Sequence, residues 1–462
     1  MSELHYQGLV EIGRRIAARE TTAHEVTAQQ LDRIAQHTDL GAFIALRAEA
    51  AMDEAASADA EIAAGQHRGP LHGVPVALKD VIDMAGMATT AGMALRADAI
   101  AADDATVTRR LRAAGAVILG KLTLTEGAFG DHRPPFGAPV NPWDAKFWPG
   151  ASSSGNGVAT AAGLCFGSIG TDTGGSIRMP SAANGVAGLK PTRGRISRHG
   201  VFPLARTLDH VGPMARRVED LAAVLAAVAG PDPKDATCAR PFVGNPLAEL
   251  KRSVQGLRLG IDPRLVSEAV DPEITAAVVE AARLLCAAGA RRCELRFPDI
   301  GNVVDLWFDI CAVDAAHVHA ATWPGRRAEY GPALSACLEH GTALSSQDYH
   351  AALLRREDLG GRIEALFDEV DVLVLPVFAR TVPEAAHAAN MNVAMIEELH
   401  RFTCPFTLSG HPCAAVRAGT DRNGMPIAIQ FVAARFEEAL CLRAAAAFEA
   451  KTPWHRLHPP LG

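Results

Sequence analysis

Two periodicities alternate along the chain. Thr22, followed three residues later by Glu25, has the spacing of a helix-capping box, and Val26, Leu31 and Ile34 then recur near helical spacing. The first sixty-odd residues are therefore expected to be helical. His67-Arg-Gly-Pro70 breaks that pattern, and Val74-Pro-Val-Ala-Leu78 and Ala116-Val-Ile-Leu119 read as short buried strands, the second preceded by a helix over 105–114. Further helices are expected at 218–229 and 274–288 and through most of 300–365. Leu257-Arg-Leu-Gly-Ile261, Asp371-Val-Leu-Val-Leu375 and Ile427-Ala-Ile-Gln-Phe-Val432 read as strands. Strands interleaved with helices predict an α/β sheet. No repeat and no linker long enough to separate independent domains interrupts it.

Composition narrows the class. Of 462 residues, 48% are hydrophobic and 21% charged, which suits a large buried core and excludes a disordered chain. With 45 Lys+Arg against 52 Asp+Glu, the net charge is −7 and offers no basic face for nucleic acid. Nine cysteines, none in a Cys-x-x-Cys pair, argue against a disulfide scaffold or zinc ribbon and for a reducing compartment. The uncharged stretch 147–171 is long enough to span a bilayer, but Pro149, three serines and repeated glycines forbid a spanning helix there. Met1-Ser-Glu-Leu-His lacks the pattern of a secretory leader. The expectation is a soluble, cytoplasmic protein that engages neither membrane nor nucleic acid.

Several chemical motifs fail on inspection. Gly115-Ala-Val-Ile-Leu-Gly120-Lys121-Leu122 lacks the hydroxyl that a phosphate loop places after its lysine, and its apolar run makes a buried strand instead. Gly155-Asn-Gly157 lacks the third small residue of a dinucleotide fingerprint. His317 and His319, near Asp314, lie two apart in a helical stretch, so they do not share a face; surface histidines are expected, and no metal. Neither Ser-x-x-Lys nor Gly-x-Ser-x-Gly occurs.

Two Gly/Ser-rich segments remain, Pro149-Gly-Ala-Ser152-Ser-Ser-Gly-Asn-Gly157 and Gly170-Thr-Asp172-Thr-Gly174-Gly175-Ser176-Ile-Arg178. Both lie in an apolar stretch where flexible surface loops are out of place. Consecutive N–H groups from Thr173, Gly174, Gly175 and Ser176 would form a nest for an oxyanion, with Ser176 placed to attack the carbonyl it holds. A serine needs a base. The nearest histidines, His199 and His210, lie past the loop, whereas Lys79 ends a buried strand where desolvation would lower its pKa.

Together these segments resemble the amidase signature family, with its Gly-Val-Pro-x-x-x-Lys-Asp strand, Pro-Gly-Gly-Ser-Ser-Gly-Gly loop and Asp-Thr-Gly-Gly-Ser-Ile-Arg loop. Ser152 and Ser176 are 24 apart, the family's usual serine spacing. Asn141-Pro-Trp-Asp144, Gly188-Leu-Lys-Pro-Thr192, Val211-Gly-Pro-Met214 and Gly424-Met-Pro-Ile427 extend the match, and roughly 235–360 diverges. The resemblance implies one large α/β/α domain over 1–462 around a mixed, mostly parallel sheet. Its parts would be an N-terminal helical region (1–65), a catalytic core (66–230), a divergent, mostly helical substrate-side region (235–360) and a C-terminal core part (361–462). It implies a Ser–cis-Ser–Lys triad without cofactor or metal: Lys79 as base, Ser152 as bridge and Ser176 as nucleophile forming an acyl-enzyme on a small amide, aryl amide, carbamate or ester.

Ala151 and Ser154 stand where the family often has glycines, and Ala151 limits backbone freedom before Ser152. The segment 127–135 departs from the family pattern; Phe129 and Asp131 are expected to shape the acyl side of the pocket. Trp307, Phe308, Trp323 and Tyr330 suit either a pocket wall or core packing. The alternative is the glutamine-hydrolysing component of a tRNA-dependent amidotransferase. That component usually carries an acid shortly before its C-terminal threonine motif, where this chain reads Leu399-His-Arg-Phe-Thr-Cys-Pro. The substrate and the oligomeric state, a homodimer among the options, stay open.

Overall fold

The computed structural model describes residues 4–239, 241, 244–388 and 393–461. Among the described residues, eleven strands form one sheet: β1 (Phe43–Leu46), β2 (Pro75–Lys79), β3 (Val117–Leu122), β4 (Gly167–Asp172), β5 (Ala187–Lys190), β6 (His210–Ala215), β7 (Arg258–Ile261), β8 (Arg291–Glu294), β9 (Val372–Pro376), β10 (Cys413–Thr420) and β11 (Pro426–Ala433). Their order across the sheet is β1-β3-β2-β4-β6-β5-β10-β11-β9-β7-β8. Every position of β2, β3, β4, β5, β6, β9 and β11 is buried. Successive side chains point to opposite faces, so helices must cover the sheet on both sides. The helices Val218–Val228 and Glu438–Glu449 pack on β6 and on β10 and β11 respectively. Among the described residues no helix is long and apolar enough to cross a membrane.

The sheet is mixed, as expected, but not mostly parallel. Only β2 with β3 and β4, and β7 with β8 and β9, pair in parallel. The pairs β1·β3, β4·β6, β5·β6, β5·β10, β10·β11 and β9·β11 are antiparallel. The turn at 421–425, with Gly424 at φ 83°, shows one reason. It is too short to carry the chain back for a parallel crossover, so β10 and β11 close as a hairpin. In the sequence that segment stands out as family motif, which hides its role as a turn.

The capping box forms: Glu25 N–H donates to Thr22 Oγ1 and Thr22 N–H to Glu25 Oε2. The N-terminal region is not wholly helical, however, since Phe43–Leu46 pairs at the sheet edge. Four residues are too few to show a strand period beside long helical stretches. The Gly/Ser-rich stretch also folds regularly, into the helices Ser154–Ala161 and Arg178–Asn184 around β4 and β5. In the divergent region, the helices Val303–His319, Pro332–Ala343 and Ser346–Ala365 pack together.

Candidate active site

Parallel pairing builds the site. β2 and β4 run in register, Leu78 opposite Ile169, so their carboxyl ends reach the same edge, where open α/β sheets bind ligands. Lys79 ends β2 fully buried, and its Nζ donates to Ser152 Oγ at 2.7 Å and to Thr171 Oγ1 at 2.8 Å. Burial pulls this amine down from 10.5 to about 7, with Asp209 and then Asp172 partly opposing. Half or more of such a group is uncharged near neutrality and able to accept a proton.

Ser152 is held by close packing around the 149–157 segment. Gly150 takes φ 89°, and a Cβ there would collide with Pro180, so only glycine fits. The Ala151–Ser152 peptide is cis. Ala151 itself has no left-handed backbone, so alanine is tolerated where the family often has glycine. Ser153 Oγ donates to Thr171 O at 3.1 Å, locking this segment to the end of β4.

The segment after β4 closes over its own carboxylate. Asp172 Oδ2 accepts from the N–H groups of Ile177 and Arg178, at 3.2 and 3.4 Å. The Arg178 guanidinium meets the same carboxylate through Nε (3.0 Å) and Nη2 (2.9 Å), both side chains fully buried. This paired ion anchors the turn that presents Ser176, the partly exposed residue in it. Two carbonyls of the turn are also fixed. Trp307 Nε1 donates to Thr173 O at 2.6 Å, and Thr403 Oγ1 to Gly174 O at 2.5 Å. In a trans peptide the N–H points opposite to its C=O, so these bonds orient the Gly174 and Gly175 N–H groups away from Trp307 and Thr403. Trp307 lies so close that a Cβ on Gly174 would stand 2.5 Å from its ring.

A cavity of about 290 Å³ opens beside these groups. Ser152, Thr173, Gly174 and Ser176 line it, together with Phe129 and Asp131, so the structure gathers these expected residues around one space. Gly175 lies between two of them in the chain. Of the four aromatics, Trp307 and Phe308 face the cavity. Trp323 and Tyr330 are instead buried against each other and His319, so both readings hold, each for one pair. The surface reading of the histidines needs correction. His317 is exposed, but His319 is buried, with Nδ1 3.1 Å from the Tyr330 hydroxyl. The helix turns one imidazole outward and the other into the core.

Three contributors carry no mark in the sequence. Thr171 is the second partner of Lys79, and hydroxyl residues one position before a motif carry no signal of their own. His400 lines the cavity, stacked on Trp307 with centroids 5.0 Å apart, and burial lowers it to about 4, so it is neutral. His132, likewise lowered to about 4 by burial, lies 2.8 Å from Ser154 Oγ. His400 comes from the far part of the chain, whereas His132 stands within the 127–135 segment that departs from the family pattern. Among the described residues, no Lys or Arg lines this cavity and no group of three or more His, Cys, Asp or Glu could hold a metal ion.

Known proteins share this architecture. The amidase family profile matches residues 25–442. The chain is 40% identical to the amidase candidate AmiD of Mycobacterium tuberculosis over 456 residues, covering 98% of this chain and 96% of that one. It is 35% identical to a glutamyl-tRNA(Gln) amidotransferase component of Thermosynechococcus vestitus, over 98% of this chain and 99% of the relative. A solved structure from a vestigial protein complex that reveals the evolutionary origins of an s-triazine catabolic enzyme superposes with a TM-score of 0.91. It shares 33% identity over 96% of this chain and 98% of the other. The chain belongs to the amidase family, hydrolases that act on amide C–N bonds.

Proposed function

We propose that this protein cleaves a small, largely apolar carboxylic amide through an acyl-enzyme on Ser176, with Ser152 as proton bridge and Lys79 as base. One observation carries the reading: a fully buried amine, lowered to about 7, sits 2.7 Å from the hydroxyl of Ser152, which shares a cavity with Ser176. Neutral Lys79 Nζ takes the proton of Ser152, which takes that of Ser176, and Ser176 Oγ bonds to the carbonyl carbon. The N–H groups of the 173–176 turn receive the oxyanion. When the C–N bond breaks, the proton returns through Ser152 to the departing amine. Water then adds to the acyl-enzyme while its proton passes through Ser152 to Lys79; the bond from the carbonyl carbon to Ser176 Oγ breaks, the proton returns to that oxygen and the carboxylic acid leaves. Esters and carbamates pass through the same oxyanion and are expected substrates as well.

Phe129, Trp307, Phe308, Met179 and Leu399 make the cavity wall apolar, which suits an alkyl or aryl group. A glutamine-hydrolysing role in an amidotransferase fits less well. Its substrate carries an ammonium and a carboxylate side by side, whereas the wall around Ser176 is aromatic and aliphatic. Incubation with a p-nitrophenyl ester and rapid acid quench should trap the acyl group on Ser176, read by peptide mass spectrometry. Label on another residue would overturn the assignment.

A further inference from the structure

A second cavity, of about 500 Å³, adjoins the first: Thr171, whose hydroxyl accepts from Lys79, is one of its lining residues. Ala128 and Leu204 line both cavities. The chemistry of the second is different. Arg193, Arg198, Arg206 and Lys234 face it, against Asp209 and Asp235. The two carboxylates are already engaged elsewhere. Asp209 accepts from Thr173 Oγ1 at 2.7 Å and from the N–H groups of Leu204 and Ala205. Asp235 accepts from the Arg198 and Thr237 N–H groups and the Thr237 hydroxyl.

The arginines are left incompletely satisfied. Arg193 Nε and Arg198 Nε are shielded from solvent, and neither has a hydrogen-bond acceptor among the described residues. The carboxylate oxygen paired with Arg198 Nε lies 4.0 Å away. Arg193 offers one bond, from Nη2 to the carbonyl of Arg206 at 3.2 Å. Burial, with Arg198 and Arg356 nearby, lowers its pKa to about 10. Asp209 and Asp235 act on Arg193 only at longer range and partly oppose that fall, so the half-buried guanidinium keeps donors without an acceptor, and its planar fork matches an oxyanion.

We propose that this cavity is a binding site for a small oxyanion of the carboxylate or phosphate class, held by Arg193 with Arg198 and Arg206. The anion either arrives free or is the far end of a substrate whose amide occupies the apolar cavity. The proposal does not depend on the catalytic roles above, because binding is read without turnover.

The test is the melting temperature of the full-length protein titrated with acetate, succinate or inorganic phosphate, ionic strength being held constant with chloride. At least one anion should raise it saturably at millimolar concentration. R193Q and, separately, R206Q at the exposed rim should weaken that rise about tenfold, while F308A in the other cavity should leave it intact. No saturable rise above the chloride control, or an undiminished rise in both arginine variants, overturns the site. Adipamic acid and hexanamide then distinguish the sources. A KM for adipamic acid that rises about tenfold in R193Q, with that for hexanamide unchanged, assigns the anion to the substrate; unchanged KM values with the anion-dependent stabilisation intact in the parent protein assign it to a free ligand.

Discussion

Two cavities meet around one buried amine, and they are built from opposite materials. The smaller has an apolar, aromatic wall with Ser152 and Ser176 in it; the larger is faced by four cationic side chains and two carboxylates. Lys79 donates to one hydroxyl from each lining, Ser152 and Thr171. The contrast shows how one lysine can be kept able to accept a proton: burial brings the amine down to about 7, while Asp209 and Asp172 restrain how far the pKa falls. The proposed chemistry lies on the apolar side, since an oxyanion is stabilised most strongly where water is excluded. The polar side suits recognition of charge.

The contrast predicts graded effects. Ser176→Ala should reduce turnover by roughly four orders of magnitude with the fold intact by circular dichroism; substantial residual hydrolysis would remove Ser176 from the nucleophile's role. Lys79→Ala and Ser152→Ala should each cost roughly a thousandfold, and because the three act as a unit, a double variant should be little worse than either single one. Additive losses would mean independent roles. Trp307→Phe keeps the aromatic wall but frees the Thr173 carbonyl. It should lower kcat about tenfold with little change in KM, the size of one hydrogen bond; a change confined to KM would make Trp307 a wall residue only.

The pH dependence sharpens the same boundary. In the proposed mechanism Lys79 acts as a neutral amine, so kcat/KM should be highest above about 7 and fall tenfold per unit well below it. A profile flat to about pH 4 would demand another base. Thr171→Val removes an acceptor that favours the ammonium form, so the acid limb should move to lower pH, by less than a unit. A shift in the opposite direction would show that the Thr171 hydroxyl favours the neutral amine instead.

The site's residues were legible where the chemistry is local. Lys79 follows a run of apolar residues in its own strand, and the glycines at 150, 174 and 175 announce a backbone that side chains would obstruct. Thr171, His400, Trp307 and Thr403 were harder. Trp307 and Thr403 are 134 and 229 residues from the carbonyls they hold, and nothing in their own segments marks a partner that far away. Phe129 and Asp131 were found because their segment departs from its surroundings, not because anything in it specified a pocket.

The strands showed the same division. The long apolar runs of β9 and β11 declared themselves, whereas β1 has four residues, none fully buried, and declared nothing. By itself the chain's order of residues determined the class of fold and singled out the two candidate serines and the candidate lysine, because apolar period, backbone freedom and spacing are written locally. Strand direction, the split of the four aromatics between wall and core, and the adjacency of two unlike cavities beside the partners of Lys79 were decided only by packing. Those features depend on which distant segments come within hydrogen-bond range, and that range is set by the sheet as a whole.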